Sequence, residues 1–440
     1  METIHERAIV RKVFMRLIPL LMGLYIISYI DRVNVGFAAL TMNKDIGLSA
    51  SVFGWGAGIF FIGYCLFEVP SNLMMVKVGA RRWIARILFT WGILASAMAF
   101  VQGPGSFLVM RFLLGVAEAG FFPAVVLYLT FWFPARYRAR IIATFSLAIP
   151  LALAIGAPLS TLIMEMDGIW GFKGWQWLFF LEGMPGVLLT LVVLKVLPDT
   201  PQSAKWLTAE ERQWLAEELE KDVKASPAAG RNGAHLSVMQ VFKHPAVLVL
   251  CFIYFCATAT NLGVSLFLPQ IVKQQGFSNM QTGLISAVPY IFGCIGMMGI
   301  GYLSDRHNER KGYVIAAMLI AATGLGLAGW FGNTVAAIAA LCIATIGILG
   351  IKGPFWPLPS VYLTGASAAA GIAFINSLGN LGGFVGPSIV GMARELTGNF
   401  ESGLYALSGL AVAAALVALV GVRSTARHRL LTESSQVATR

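Results

Sequence analysis

Apolar runs about 20 residues long recur from one end of the chain to the other, separated by short breaks rich in Lys, Arg, Gly, Pro and Asn. Runs of that length cross a bilayer as helices. Their spacing predicts twelve spans, over 15–38, 53–76, 83–101, 106–132, 140–164, 175–197, 245–272, 281–304, 312–331, 334–363, 368–393 and 401–422. The only long polar stretch, 198–244, divides six spans from six. Within it, Thr208 and Glu211 make a capping box that opens a helix over 209–219. Trp214, Leu215, Leu219 and Val223 share one face, which predicts a helix lying on the membrane surface or against the bundle. Ser226-Pro227-Ala228-Ala229-Gly230 then reads as a flexible break. The fold class is an all-α polytopic membrane protein. Residues 1–197 form one six-helix bundle, 198–244 a cytoplasmic linker, and 245–440 a second bundle with a tail.

Composition removes the other classes. Of 440 residues, 57% are hydrophobic and 12% charged, about half the charge of an ordinary soluble domain. So much apolar material does not fit one soluble core. A β-barrel would need alternating segments of about 10 residues. The net charge of +11 would suggest nucleic acid in a soluble chain, but here the basic residues lie between apolar runs. Cys65, Cys251, Cys256, Cys294 and Cys342 sit inside those runs without metal-ligand spacing, and the five histidines are scattered. Neither a metal site nor a cofactor is predicted. The basic N-terminus leads into a long apolar helix without a small-residue cleavage site, so it reads as the first span rather than a cleaved leader.

Lys and Arg are shared unevenly between the two sides. One side has Arg7, Arg11, Lys12 and Arg16, then Lys77/Arg81/Arg82, Arg136/Arg138/Arg140, the linker, Arg306/Arg310/Lys311 and the tail. The other has Lys44, Lys173, Lys273 and Arg394. The positive-inside rule therefore places both termini in the cytoplasm, in a cell inner membrane. Trp170, Trp175, Trp177, Trp83 and Trp132 fall near span ends, where indoles anchor to the interface.

The halves repeat. A shift of 229 residues carries Lys77, Arg81 and Arg82 onto Arg306, Arg310 and Lys311, and Ala157-Pro158 onto Gly386-Pro387. Such repeats place a substrate site near the bilayer midplane, between halves that rock around it.

Specific motifs now carry a resemblance. Gly301-Tyr302-Leu303-Ser304-Asp305-Arg306-His307-Asn308-Glu309-Arg310-Lys311 resembles the short-loop signature of the major facilitator superfamily, and Arg111-Phe112-Leu113-Leu114-Gly115 resembles its Arg-x-x-x-Gly motif. Asp31-Arg32-Val33-Asn34-Val35-Gly36-Phe37-Ala38 and Gly115-Val116-Ala117-Glu118-Ala119-Gly120-Phe121-Phe122-Pro123 look like the anion:cation symporter family. Gly174-Trp175-Gln176-Trp177 and Phe355-Trp356-Pro357-Leu358-Pro359 are similar to its tartrate and phthalate transporter branch. The resemblance implies two pseudo-symmetric six-helix bundles and transport of a small organic anion. By motif match it implies proton coupling by Asp31 and Glu118 and anion binding by Arg32. Tyr64 matches a tyrosine position of related sugar-acid carriers. The first-half loop departs from the superfamily pattern, because Val76 stands where the second half has Asp305.

The same residues stand out on physical grounds. A charge at mid-bilayer costs at least about 2.5–3.5 kcal/mol on insertion scales, and Asp31, Arg32, Arg111 and Glu118 all interrupt apolar runs. An Arg in a partly dehydrated cavity offers a rigid fork suited to a carboxylate. An acid there gains protons by desolvation and loses them beside a guanidinium. Glu118 can thus hold a proton while substrate occupies the cavity, and the protonation of Asp31 can set whether neighbouring Arg32 is free. Arg111 and Glu118, nearly two turns apart, point the same way, so Arg111 is expected to position Glu118 and the first span. In the second half, Lys352 is the candidate for a second substrate carboxylate, with Trp356 stacking on the carbon frame. Asn261, Asn376, Gln270, Ser360 and Asn380 are candidate hydrogen-bonding partners. Glu68 and Glu182 read as structural. Asp305 with Arg306, Arg310 and Lys311 reads as a gate latch.

The leading expectation is a monomeric proton symporter importing a tartrate-like, sugar-acid or aromatic carboxylate, with the lipid bilayer, the anion and protons as partners. The alternative is an organic-anion exchanger without obligatory proton movement. Cation or drug efflux is disfavoured by buried Arg32 and Lys352, and an enzyme by the lack of a nucleophile–base or metal constellation.

Overall fold

The computed structural model describes residues 4–225, 238–363 and 365–422. The expected break at 226–230, the tail residues Arg423, Arg427, Arg429 and Arg440, and the side chains of Val223 and Ser360 lie outside that description. Among the described residues every regular element is a helix, and eleven helices are long and apolar enough to cross a membrane. The eleventh expected span, 368–393, is instead two 16-residue helices, Gly365–Asn380 and Gly382–Thr397, meeting at Leu381. Close packing explains the joint. A Cβ on Gly382 would lie 2.2 Å from the Phe255 carbonyl, and one on Gly386 2.0 Å from that of Ala259.

The first span is longer than the hydropathy pattern predicts. It runs as Ile4–Val33 and Val35–Asp45, because the helix continues past the apolar zone at both ends. The second is Ala50–Val78, opened by Ser49, whose hydroxyl accepts from the Val52 amide at 3.3 Å. The third is Ala80–Ala97, the fourth Pro104–Glu118 plus Phe121–Thr130, the fifth Ala135–Ser146 plus Ala148–Met164, and the sixth Gly174–Val196. In the second half the seventh to tenth begin at Pro245, Asn279, Lys311 and Val335, and the twelfth is Glu401–Gly421.

Each half packs chiefly on itself. The third span lies on the sixth and the second on the fourth, while the ninth lies on the tenth and twelfth and the seventh on the eleventh. The halves meet along two seams, second span against eleventh and fifth against eighth, with a smaller contact between first and seventh.

The linker divides its loyalty between them. Its helix Ala209–Ala225 docks on the first half, where Lys12 donates to Glu211 at 2.7 Å, Arg136 meets Glu218 at 3.3 Å, and Trp206 stacks on Trp132 at 5.7 Å. Trp132 is therefore a buried docking surface and not an interface anchor. The short helix Val238–Phe242 stacks Phe242 on Phe374 of the eleventh span at 4.2 Å. We call the side bearing this linker the linker face, and the opposite side the far face.

The internal repeat is visible as geometry at the seams. Gly54 meets the Pro387 carbonyl, where a Cβ would be 2.5 Å away. Gly283, which stands 283 − 54 = 229 residues later, meets the Ala157 carbonyl at 2.7 Å and Thr161 Oγ1 at 1.9 Å from its Cβ position. These two glycines let the bundles touch backbone to backbone on the far side of the molecule, where Ser51 also bonds Glu395. The far face is closed in this conformation. Gly283→Val should wedge the fifth and eighth spans apart. Spin labels on Glu165→Cys and Gln281→Cys are expected to report a longer distance, and an unchanged distribution would show that the seam does not need the glycine.

Candidate functional site

Ser28 and Arg32, one turn apart on the first span, face the fourth span together. Arg32 forms a short ion pair through Nη2 with Glu118 Oε1, and the Ser28 hydroxyl donates to the same oxygen at 2.7 Å. The Arg32 side chain is 11% exposed and that of Glu118 is 1% exposed. Around the guanidinium stand Tyr29 and Tyr64 at 5.3 Å, Phe60 at 5.4 Å and Phe61 at 6.0 Å, measured to the ring centroids. Ring faces stabilise a cation without competing for its donors. Arg32 Nε and Glu118 Oε2 have no partner among the described residues, so the pair is charge-balanced yet short of hydrogen bonds.

Glu118 reaches this position because its helix stops there. Ala119 is extended and Gly120 turns left-handed at φ 84° before the helix restarts at Phe121. A Cβ on Gly120 would meet Ser71 Oγ at 2.5 Å, so the turn has both a conformational and a packing need for glycine. A discontinuous helix at mid-membrane is a recurrent way to build a transport site.

Arg111 serves another neighbour. It is fully buried and donates to the backbone carbonyls of Gly56 at 3.3 Å and Ala57 at 3.2 Å on the second span. It makes no hydrogen bond to Glu118, which the sequence expects it to position together with the first span, although its charge acts on the site through space. Asp31 likewise diverges from Arg32. Its carboxylate accepts from Asn34 Nδ2 at 3.2 Å and faces away, toward the fifth and sixth spans. Successive residues on a helix are about 100° apart, which is why sequence neighbours serve different sites.

The second half contributes from across the seam. Asn261 engages the Tyr29 hydroxyl. Lys352 lies in the last helical turn of the tenth span, just past Ile351, and is close enough to Arg32 for their charges to interact. Trp356 packs edge-on against Tyr254 at 4.9 Å. Lys352, Trp356, Asn376 and Asn380 are all partly exposed.

Asn376 has a partner that sequence reasoning missed. Its amide donates to Glu68 Oε1 at 2.6 Å, and Ser377 Oγ donates to Oε2 at 3.3 Å. Glu68, read as structural from the sequence, is a buried carboxylate that crosses the seam between halves and engages a candidate substrate-binding amide. Its placement one turn from Tyr64 was the available signal. Glu68→Ala should loosen this crossing. Spin labels on Met74→Cys and Ala373→Cys are expected to move apart, and an unmoved distribution would reduce Glu68 to a local contact.

The loop candidates stay near home. Arg310 Nη1 donates to Asp305 Oδ1 at 2.5 Å and to Ser304 Oγ at 3.1 Å, within the turn joining the eighth and ninth spans, while Arg306 is exposed. The first-half loop obtains its carboxylate elsewhere. Asp199, just past the sixth span, accepts from the Arg81 amide at 2.9 Å, beside Gly79.

A family model described as Major Facilitator Superfamily matches residues 21–387. The chain belongs to the Major Facilitator Superfamily. Its relatives include a protein named "Putative tartrate transporter" from Agrobacterium vitis, 50% identical over 96% of this chain and 92% of that one. Another, named "Quinolone resistance transporter", from Acinetobacter baumannii, is 48% identical over 92% of each chain. Among solved structures, the D-xylose-proton symporter superposes with a TM-score of 0.72 at 17% identity, covering 93% of this chain and 97% of that one. The superfamily fold expected from the motifs is therefore present. This member is a multi-pass membrane transporter and not an enzyme.

Proposed function

We propose that this transporter imports a small organic anion by proton symport, through alternating access of the two bundles around Arg32. The supporting observation is the Arg32–Glu118 pair: a guanidinium at mid-depth whose counter-charge is the protein's own carboxylate. Protonating Glu118 releases the Arg32 fork, which then suits a substrate carboxylate. Lys352 on the opposite half supplies a second cation, so a dicarboxylate would draw the halves together, and Tyr29, Tyr64, Trp356, Asn261 and Asn376 complete the polar and aromatic lining. A relative's name mentions tartrate, and tartrate is a hydroxylated dicarboxylate of that kind. The uneven Lys and Arg distribution supports a cytoplasmic linker face, both termini inside, and a bacterial-type inner membrane as the location. Segments 1–197 and 245–440 act as the rocking units, with 198–244 joining them, and one chain suffices as the working unit.

Energetics favours coupling. Importing a monoanion against about 100 mV costs roughly 2.3 kcal/mol and a dianion about twice that. One proton cancels the electrical cost for a monoanion, and two for a dianion. A second reading is favoured by the relative named for quinolone resistance. A quinolone is itself an aromatic carboxylate, so the Arg32 fork would suit it, with transport directed outward. Proteoliposomes separate these readings. Uptake of labelled tartrate driven by an acid exterior supports symport, a requirement for internal counter-anion supports exchange, and proton-driven loss of a quinolone from the cytoplasmic side supports efflux.

A further inference from the structure

Behind the Arg32 site, between the first, fifth and sixth spans, lies a second polar cluster: Asp31, Asn34, Ser160 and Glu182. All four are at least 95% buried, the most exposed being Glu182 at 5%. Asn34 Nδ2 donates to Asp31 Oδ1 at 3.2 Å and its side chain also lies beside Glu182, while Ser160 Oγ donates to Glu182 Oε1 at 2.8 Å. The hydrogen count does not close. The Asn34 amide and the Ser160 hydroxyl bring three hydrogens, against four carboxylate oxygens and one amide oxygen. Among the described residues, Asp31 Oδ2, Glu182 Oε2 and Asn34 Oδ1 are left without a donor.

Nor is there a counter-charge in contact. The charges that reach Asp31 are Glu182 from the sixth span, and Glu118 and Arg111 from the fourth, while the fifth span brings Ser160. Arg111 directs Nε and Nη2 to the carbonyls of Gly56 and Ala57, its Nη1 has no partner among the described residues, and its charge reaches Asp31 only through space, while Arg32 is committed to Glu118. Two ionised carboxylates flanking one amide, away from water and without a cation in contact, repel each other strongly. One added proton resolves both deficits. Carried on either carboxyl, it donates to the other acid or to Asn34 Oδ1.

We propose that Asp31 and Glu182 share one proton and act as a unit, which makes Glu182 a third proton-handling acid of the transport cycle. The inference rests on the symport reading and deepens it. Glu118 exchanges its proton directly with the substrate site, while the Asp31–Glu182 unit holds a second proton one residue away from Arg32. That supply matches the second charge of a dianionic substrate.

The test uses full-length purified protein and infrared difference spectroscopy at neutral pH. Wild type is expected to show the carbonyl band of a buried protonated carboxyl. Both D31N and E182Q should abolish or displace it, since the side-chain amide of the new residue fills the missing donor position. A band absent from wild type, or lost in D31N and untouched in E182Q, overturns the shared proton. In proteoliposomes, E182Q should lower the tartrate accumulation reached per unit of imposed pH difference, and a wild-type slope overturns the transport role. Wild-type uptake indifferent to an imposed gradient sinks the symport reading, and the infrared comparison still decides the shared proton.

Discussion

Arg32→Ala should weaken binding of tartrate by about 10- to 150-fold, the span that corresponds to losing about 1.5–3 kcal/mol of charge-assisted hydrogen bonding. Isothermal titration of the purified transporter measures it. Two effects are mixed in that substitution and can be separated. Removing one partner of a buried ion pair costs about 3–5 kcal/mol, because the other charge is stranded. Glu118 would be that charge, at 1% exposure with Ser28 as its remaining donor. The double variant Arg32→Ala/Glu118→Gln removes the stranded charge, so it should recover thermal stability while binding stays as weak as in Arg32→Ala. Arg32→Lys keeps the charge and loses the planar fork, and is expected to bind between the two. Binding of tartrate by Arg32→Ala at wild-type strength, in a folded preparation, would move the anion site away from the first span.

How the helices divide was legible in the sequence because a bilayer imposes one length scale on every apolar run. Where the helices break was not. The turn at Ala119–Gly120, which delivers Glu118 to Arg32, is decided by Ser71 on another helix filling the place of a Cβ. The joint at Leu381 is set by how closely the seventh span's carbonyls approach Gly382 and Gly386. Such distances belong to the assembled bundle, although the Gly- and Pro-rich run 379–387 marks the second joint as close packing or a hinge.

The candidate site was legible to the same degree and for a related reason. Ionised groups in apolar runs announce themselves by their cost, so Asp31, Arg32, Arg111 and Glu118 could be named, but a cost does not identify a partner. Arg111 spends Nε and Nη2 on the second span, Asp31 turns to Asn34, and Arg32 takes Glu118. The partner of Glu68 was hidden because it is Asn376, more than three hundred residues away in sequence. The loop that lacks an acid at Val76 obtains one from Asp199, a substitution in space that no motif comparison within the loop reveals.

Those pairings sharpen what Glu118 does. While Glu118 is ionised it neutralises Arg32 and occupies its Nη2 donor; while protonated it cannot. Substrate and the carrier's own carboxylate therefore compete for one guanidinium, and the proton decides the contest. Glutamine fixes the second state permanently. Glu118→Gln should bind tartrate with affinity that no longer falls as pH rises, and should exchange labelled for unlabelled tartrate across the membrane. It should not accumulate tartrate against a gradient. Each coupled proton is worth about tenfold accumulation per unit of pH difference, so the parent should concentrate substrate steeply where Glu118→Gln equilibrates near a ratio of one. The exchange arm is what gives the comparison its force, because it shows that the variant still cycles while loaded. The step it loses is the return of the empty carrier, in which an unneutralised Arg32 would have to cross between conformations with only aromatic rings around it. Accumulation by Glu118→Gln equal to the parent would transfer the coupling to other acids, with the Asp31–Glu182 unit first among them.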